Sequence, residues 1–200
     1  MFTGIVQEVG TLIAARRTNA VDRLTIQAPK TAQGLAIGES VAVNGACLSV
    51  VQADAGRLVF EMIPETRRLT NLGALREGAS VNLERSLTLS DRLNGHVVLG
   101  HVDGLGRILR RRTLPGQVVL DIAVERGIGR WLVPKGPITV DGVSLTVGPQ
   151  PTSTRCSVFL IPETLRKTTL GCDSHGSVVN LEVDYFAKLL AQMASARYKD

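Results

Sequence analysis

The chain writes one pattern twice. "VNGACLSV" (43–50) returns as "VDGVSLTV" (140–147), and "IPETRRLTNLG" (63–73) returns as "IPETLRKTTLG" (161–171) with eight of eleven positions identical. "GASVNLE" (78–84) returns as "GSVVNLE" (176–182) with five of seven identical, and "GIVQEVGTL" (4–12) has a weaker echo in "GHVDGLGRI" (100–108). The blocks keep their order, and their offset drifts only from 96 to 98 residues, so this is a duplicated domain. The period is too long for a solenoid, whose repeats run to roughly 20–50 residues, so each half must bury its own interior. A chain of 200 residues divides accordingly into residues 1–96, with "LTLSDRLNGH" (87–96) as a linker, then 97–184, then a remainder at 185–200.

Within each half the apolar residues alternate in short runs, such as "RLTIQAP" (23–29), "RLVFEMI" (57–63), "QVVLDIAV" (117–124) and "RCSVFLI" (155–161). Alternation bounded by Gly, Pro, Asn and Asp predicts strands. The "NG" (44–45) and "DG" (141–142) pairs, each flanked by valine, predict hairpin turns. About six short strands per half, with no long helix between them, predict an all-β fold of antiparallel barrels or sandwiches. Closure into a barrel would remove the exposed edges of a valine-rich sheet. "LGALREG" (72–78) reads as a short helix or turn, and its counterpart "LGCDSHG" (170–176) as a turn. One clear helix is expected at the end, in "DYFAKLLAQMASARYKD" (184–200), with Asp184 as N-cap and Phe186, Leu189, Leu190 and Met193 along one face. The repeat does not account for this helix, so its apolar stripe is expected to dock on a neighbouring subunit, with its own barrel as the alternative.

Several classes are disfavoured. No apolar run approaches the ~18–20 residues of a membrane span, and "MFTGIVQEVG" lacks the features of a secretory leader. Three cysteines (Cys47, Cys156 and Cys172) without CxxC spacing fit neither a disulfide framework nor a zinc site, which points to a reducing cytoplasm. The net charge of +5 includes "RILRRRT" (107–113). That run reads as a solvated strand end rather than a nucleic-acid patch, because no aromatic platform accompanies it. No nucleophile elbow, phosphate loop or metal cluster is present in the sequence. The two copies share a frame of Gly, Val and Leu yet differ at polar positions: Cys47 against Ser144, Ser49 against Thr146, Ile5 against His101. Taken alone, Cys47 is more often a small buried hydrophobe than a nucleophile. His101 carries a group that exchanges protons near neutral pH. The residues themselves reach as far as two related small-molecule sites in an oligomer.

"MFTGIV", "GESVAVNGACLSV", "NLERSL", "NGHVVLGHVDG", "VDGVSLTV" and "LIPETLRKTTLG", in this order from residue 1 to about 185, resemble the alpha-chain riboflavin synthases, a lumazine-binding family. The resemblance implies two six-stranded antiparallel Greek-key barrels and a C-terminal helix that helps to build a homotrimer. It implies the dismutation of two 6,7-dimethyl-8-ribityllumazine molecules to riboflavin and a ribitylamino-pyrimidine, without metal or redox cofactor. The active site would lie between the N-barrel of one subunit and the C-barrel of another. A shell of lumazine synthase is a partner in some relatives. The family also contains fluorescent proteins that bind lumazine without catalysis, so a carrier is the alternative reading.

By resemblance, the ligand-contacting residues are Phe2, Gly4, Ile5 and Val6; Ser40; Cys47, Leu48 and Ser49; and the segment Glu61, Met62, Ile63, Pro64, Glu65 and Thr66 beside the N-site. In the C-barrel they are His101, Val102 and Asp103; Lys135; Ser144, Leu145 and Thr146; and Leu160, Ile161, Pro162, Glu163, Thr164 and Leu165, with Asp184 ending the last strand. Ser49 stands where the family often has threonine. His101, with Ser144 and Thr146 nearby, is expected to assist removal of a methyl proton from one lumazine. Cys47 and Ser40 are expected to position or activate a nucleophile at the other ring.

Overall fold

Each alternating run becomes a strand with its aliphatic residues inward. The computed structural model describes residues 1–196. In the first half β1 (Glu8–Arg16), β2 (Asp22–Gln27), β3 (Ser40–Val43), β4 (Ala46–Asp54), β5 (Arg57–Met62) and β6 (Ser80–Arg85) close into a barrel in the order β1-β2-β5-β4-β3-β6. On β5, Leu58, Phe60 and Met62 point inward and are wholly or almost wholly buried. Each such side chain contributes about 1.5–3 kcal/mol by leaving water.

The second half repeats the plan with β7 (Gly104–Leu114), β8 (Gln117–Val124), β9 (Pro137–Val140), β10 (Val143–Thr146), β11 (Arg155–Leu160) and β12 (Val178–Val183). Its order, β10-β9-β12-β7-β8-β11, is the same cyclic order. All strand pairs in both halves are antiparallel. Closure differs between the halves. In the first, β4 and β5 share a ladder from Val50↔Phe60 to Asp54↔Arg57. In the second, β10 stops at Thr146, and the seam is reduced to the Val147↔Val158 bridge and the Gly148 N–H bond to Ser157 O at 2.7 Å. Pro149 and Pro151 follow at once, and a proline offers no N–H to continue a ladder.

Among the described residues there are four α-helices: α1 (Pro64–Leu69), α2 (Arg126–Gly129), α3 (Pro162–Lys167) and α4 (Tyr185–Ala196). α1 and α3 are the two "IPET" segments. Proline opens each, a glutamate sits in the first turn and basic residues in the last, which suits the helix dipole. Alternation alone gives no sign of them. Asp184 precedes α4 and accepts the Phe186 N–H at 3.1 Å, as an N-cap does. The last four residues of the expected helix, 197–200, lie outside the described residues.

The two predicted turns meet back to back between the barrels. Asn44 and Asp141 adopt φ of 46° and 44°, and Gly45 and Gly142 adopt 80° and 77°. A Cβ on Gly45 would fall 2.7 Å from the Gly142 nitrogen, so only glycine permits this approach. Around the turns lies a buried polar network with approximate two-fold symmetry. Asn82 Nδ2 donates to Asp141 O and Asn180 Nδ2 donates to Asn44 O, both at 2.8 Å. The backbone N–H of Asn82 donates to Asn44 Oδ1 and that of Asn180 to Asp141 Oδ1, at 2.8 and 2.7 Å. The repeated "VNLE" therefore splits by alternation. Val81, Leu83, Val179 and Leu181 fill the two cores, while Asn82 and Asn180 zip the barrels together.

Candidate active site

The segments before each barrel cross to the other one. Residues 1–7 form one strap and residues 97–103 another, and they touch each other through the Phe2↔Val98 bridge. Each strap is anchored on its own barrel by a buried glutamate. Glu84 accepts the N–H groups of Thr3 and Gly4 at 2.7 and 2.9 Å, and Glu182 accepts those of Leu99 and Gly100 at 2.8 and 3.0 Å. Burial raises both carboxyls above the ordinary range, against the pull of these amide bonds. Each strap then reaches the opposite barrel. Ser144 N–H donates to Gly4 O at 2.7 Å, and Cys47 N–H donates to Gly100 O at 2.9 Å. A Cβ on Gly4 would lie 2.6 Å from Ser144 Cβ, and one on Gly100 would lie 2.6 Å from Cys47 Cβ, so both crossings require glycine.

Two clefts result, and they correspond residue by residue. The N-barrel cleft, of about 230 Å³, is lined by Ala46, Cys47, Glu65, Thr66, Leu69, Thr70 and the strap residues Gly100, His101 and Val102. The C-barrel cleft, of about 260 Å³, is lined by Val143, Ser144, Glu163, Thr164, Lys167, Thr168 and the strap residues Gly4, Ile5 and Val6, with Ile161 at its edge. Every N-cleft residue has its repeat counterpart in the C-cleft. The outward positions of β4 and β10 supply Cys47 and Ser144, and α1 and α3 supply the opposite wall.

This placement corrects the grouping expected above. His101, Val102 and Asp103 belong to the strap over the N-barrel, so His101 lies beside Cys47 and not beside Ser144. Gly4, Ile5 and Val6 serve the C-barrel. Crossing by main-chain hydrogen bonds leaves no side-chain signature, so the grouping carried over by resemblance keeps each strap with the barrel that follows it.

Chemistry behind the two clefts differs sharply. Behind Ser144 stands His96, whose Nδ1 lies 2.7 Å from Ser144 Oγ and whose Nε2 lies 3.3 Å from Thr139 Oγ1. Burial lowers the His96 pKa below its ordinary value, with Asp184 opposing, so the ring is neutral at neutral pH. Behind Cys47 the position matching Thr139 is Ala42, packed in an apolar cluster with Phe2 and Val98. His96 stands in "NGHVVLGHVDG" but is absent from the residues expected from the sequence. No counterpart in the other copy marked it as divergent.

The remaining candidates scatter. Phe2 is fully buried, with its ring beneath Gly100, so it supports a strap and lies outside both cleft linings. Leu48, Met62, Leu145 and Leu160 point into the barrel cores, the inward phase of their strands. Leu165 packs partly against the C-barrel core. Ser40 and Ser49 face each other across β3 and β4, and Thr146 faces Pro137, outside both cleft linings. Glu61 is engaged with Arg23 at 2.9 Å. Ile63, Pro64, Pro162 and Lys135 are exposed, Lys135 with φ of 62°. Asp103 accepts the Val183 N–H at 2.9 Å and pairs with Lys188, while Asp184 caps α4 near His96.

A model of the Lumazine binding domain matches residues 3–86 and, a second time, residues 99–184. The chain belongs to the lumazine-binding family. Among curated relatives, the Riboflavin synthase of Mycobacterium bovis is 43% identical over 196 residues, covering 96% of this chain and 98% of that protein. That of Bacillus amyloliquefaciens is 41% identical, covering 95% of this chain and 88% of its own. That of Escherichia coli is 38% identical, covering 92% and 87%. The crystal structures of LumP with 6,7-dimethyl-8-(1'-D-ribityl) lumazine and with riboflavin share the fold, with TM-scores of 0.82 and 0.83 at 22% and 24% identity. They cover 92% of this chain and 99% and 100% of their own. Because the straps cross, each of the two lumazine-binding spans supplies residues to both clefts.

Proposed function

We infer that this chain is a riboflavin synthase. It dismutates two molecules of 6,7-dimethyl-8-ribityllumazine, passing a four-carbon unit from one to the other to give riboflavin and 5-amino-6-(D-ribitylamino)uracil. Near-full-length identity of about 40% to several curated riboflavin synthases supports this reading. The observation that carries it is the pair of matched clefts with unlike chemistry. A reaction between two copies of one molecule needs two similar pockets in which the copies play different parts.

The roles follow the geometry. In the C-cleft, neutral His96 accepts a proton through Ser144 Oγ, so the lumazine held there loses a proton from its 7-methyl group and becomes the carbanion. In the N-cleft, His101 and Cys47 face the second lumazine, which receives the attack. Thr66, Thr164, Ile161 and the strap backbones hold the rings. Holding two reactants in contact can lower a barrier by roughly 7–11 kcal/mol. We place the contact between subunits of a homotrimer, the N-cleft of one facing the C-cleft of the next. The apolar face of α4 supports assembly, with Phe186, Leu189, Leu190 and Met193 all exposed on the single chain. The setting is the cytoplasm, and a shell of lumazine synthase around the trimer belongs to the same reading. No helix among the described residues is long and apolar enough to cross a membrane.

The test is to mix purified protein with 6,7-dimethyl-8-ribityllumazine. Catalytic appearance of riboflavin is expected. A stoichiometric fluorescence change without product would make the protein a carrier, and no response would exclude both.

A further inference from the structure

The two straps are fastened in parallel ways, with one difference. Gln7 and Asp103 are repeat counterparts. Gln7 Oε1 accepts the Arg85 N–H at 3.1 Å, and Asp103 Oδ2 accepts the Val183 N–H at 2.9 Å. A neutral amide therefore suffices to tie a strap to its last strand. In the second half that amide is replaced by a carboxylate, which receives Lys188 Nζ at 2.8 Å on Oδ1 and 3.0 Å on Oδ2. Lys188 belongs to α4, which has no counterpart in the first half. Both side chains are only about a quarter exposed, 24% and 23%. Ala187 and Lys188 are half-buried, while Phe186, Leu189 and Leu190 stand exposed.

We propose that Lys188 is a positioning residue for the N-barrel cleft: its ion pair with Asp103 is a strut that couples the seating of α4 to the placement of the strap residues Gly100, His101 and Val102. Asp103 directly follows Val102, which lines that cleft. Asp103 N–H is also bonded to Leu181 O at 2.8 Å, so the strap end has little freedom of its own. A charge pair strengthens this hold, because a hydrogen bond between ionised groups is roughly twice as strong as a neutral one. Docking of the apolar face of α4 then sets where His101 stands. The C-cleft strap has the neutral Gln7 in place of Asp103, so that position offers no carboxylate for an ion pair with α4. The inference rests on the reading of the protein as a riboflavin synthase.

The experiment is a double-mutant cycle on the full chain with Lys188→Met, Asp103→Asn and the pair together, read by steady-state riboflavin formation and by sedimentation. Asp103→Asn keeps an oxygen for the Val183 N–H and loses the charge. Each single variant is expected to lose about fivefold to twentyfold in kcat with its assembly intact. The double variant should fall no further than the worse single, and Lys188→Arg should return to within about twofold of wild type. Losses that multiply, or variants as fast as an active wild type, would overturn the strut. So would activity lost only together with the assembly, which would make the pair a helix anchor alone. A wild type that forms no riboflavin would instead sink the functional reading on which the strut depends.

Discussion

Cys47 and Ser144 occupy one position of the repeat, and their surroundings decide what each can do. Ser144 is backed by a neutral imidazole and Cys47 by a phenyl ring. His96→Ala should therefore lower kcat by about 10²-fold or more, the range typical of lost general base assistance, in the riboflavin assay. Cys47→Ser should keep appreciable activity, and His101→Ala should lose far more. Because burial lowers the His96 pKa, the acid limb of the kcat profile should lie below the ordinary imidazole value. A limb at or above that value would contradict the assignment. The turn residue Asp141 makes a second prediction. It is fully enclosed, and burial raises its pKa well above the ordinary 3.8. A raised carboxyl contributes fully to stability below its unfolded pKa, and that contribution is lost as pH rises through the folded value. Asp141→Asn restores the residue of the first copy and keeps the oxygen that accepts from Asn180 and Asn71. It should stabilise the fold by about 1–2 kcal/mol at neutral pH in denaturant titrations, with the gain vanishing below the ordinary carboxyl range.

Among the elements, the straps show what the sequence could and could not convey. Strands and turns are legible because alternation and "NG" or "DG" are local properties, whereas the pattern leaves barrel and sandwich both open and the six-stranded Greek-key plan comes from the resemblance. The outward phase of β6 and β12 was equally written in "VNLE", but its meaning depends on what covers it. Asn82 and Asn180 are buried against the turn of the other half, and Glu84 and Glu182 beneath the straps that they hold. The "IPET" helices carry proline at the start and basic residues at the end, signals masked by the strand rhythm around them. The crossing of the straps is invisible, since it rests on the Ser144 and Cys47 backbone N–H groups. It nevertheless makes a sharp prediction. Gly100→Ala places a methyl against Cys47 at a φ of 79°, where strain alone costs roughly 1–3 kcal/mol. It should weaken binding of a non-reactive lumazine analogue in the N-cleft while leaving the C-cleft filled, and isothermal titration should fall from two sites per chain to one. Two unaltered sites would refute the crossing.

The whole molecule is two copies of one pocket whose frame is shared and whose polar groups have diverged. Resemblance supplied the reaction, while the structure supplied the grouping: His101 with Cys47, His96 with Ser144. Helix α4 leaves its large apolar side chains exposed on the single chain, so a chain ending at Tyr185 should sediment as a smaller species than the full chain. The central claim is that catalysis needs one cleft of each kind, contributed by different subunits. Co-expression of Thr66→Trp, which fills the N-cleft, with Thr164→Trp, which fills the C-cleft, tests this most directly. Each variant alone should form almost no riboflavin, and mixed assemblies should recover a readily measured part of wild-type turnover. Either variant remaining active alone, or a mixture as inert as its parts, would contradict the account.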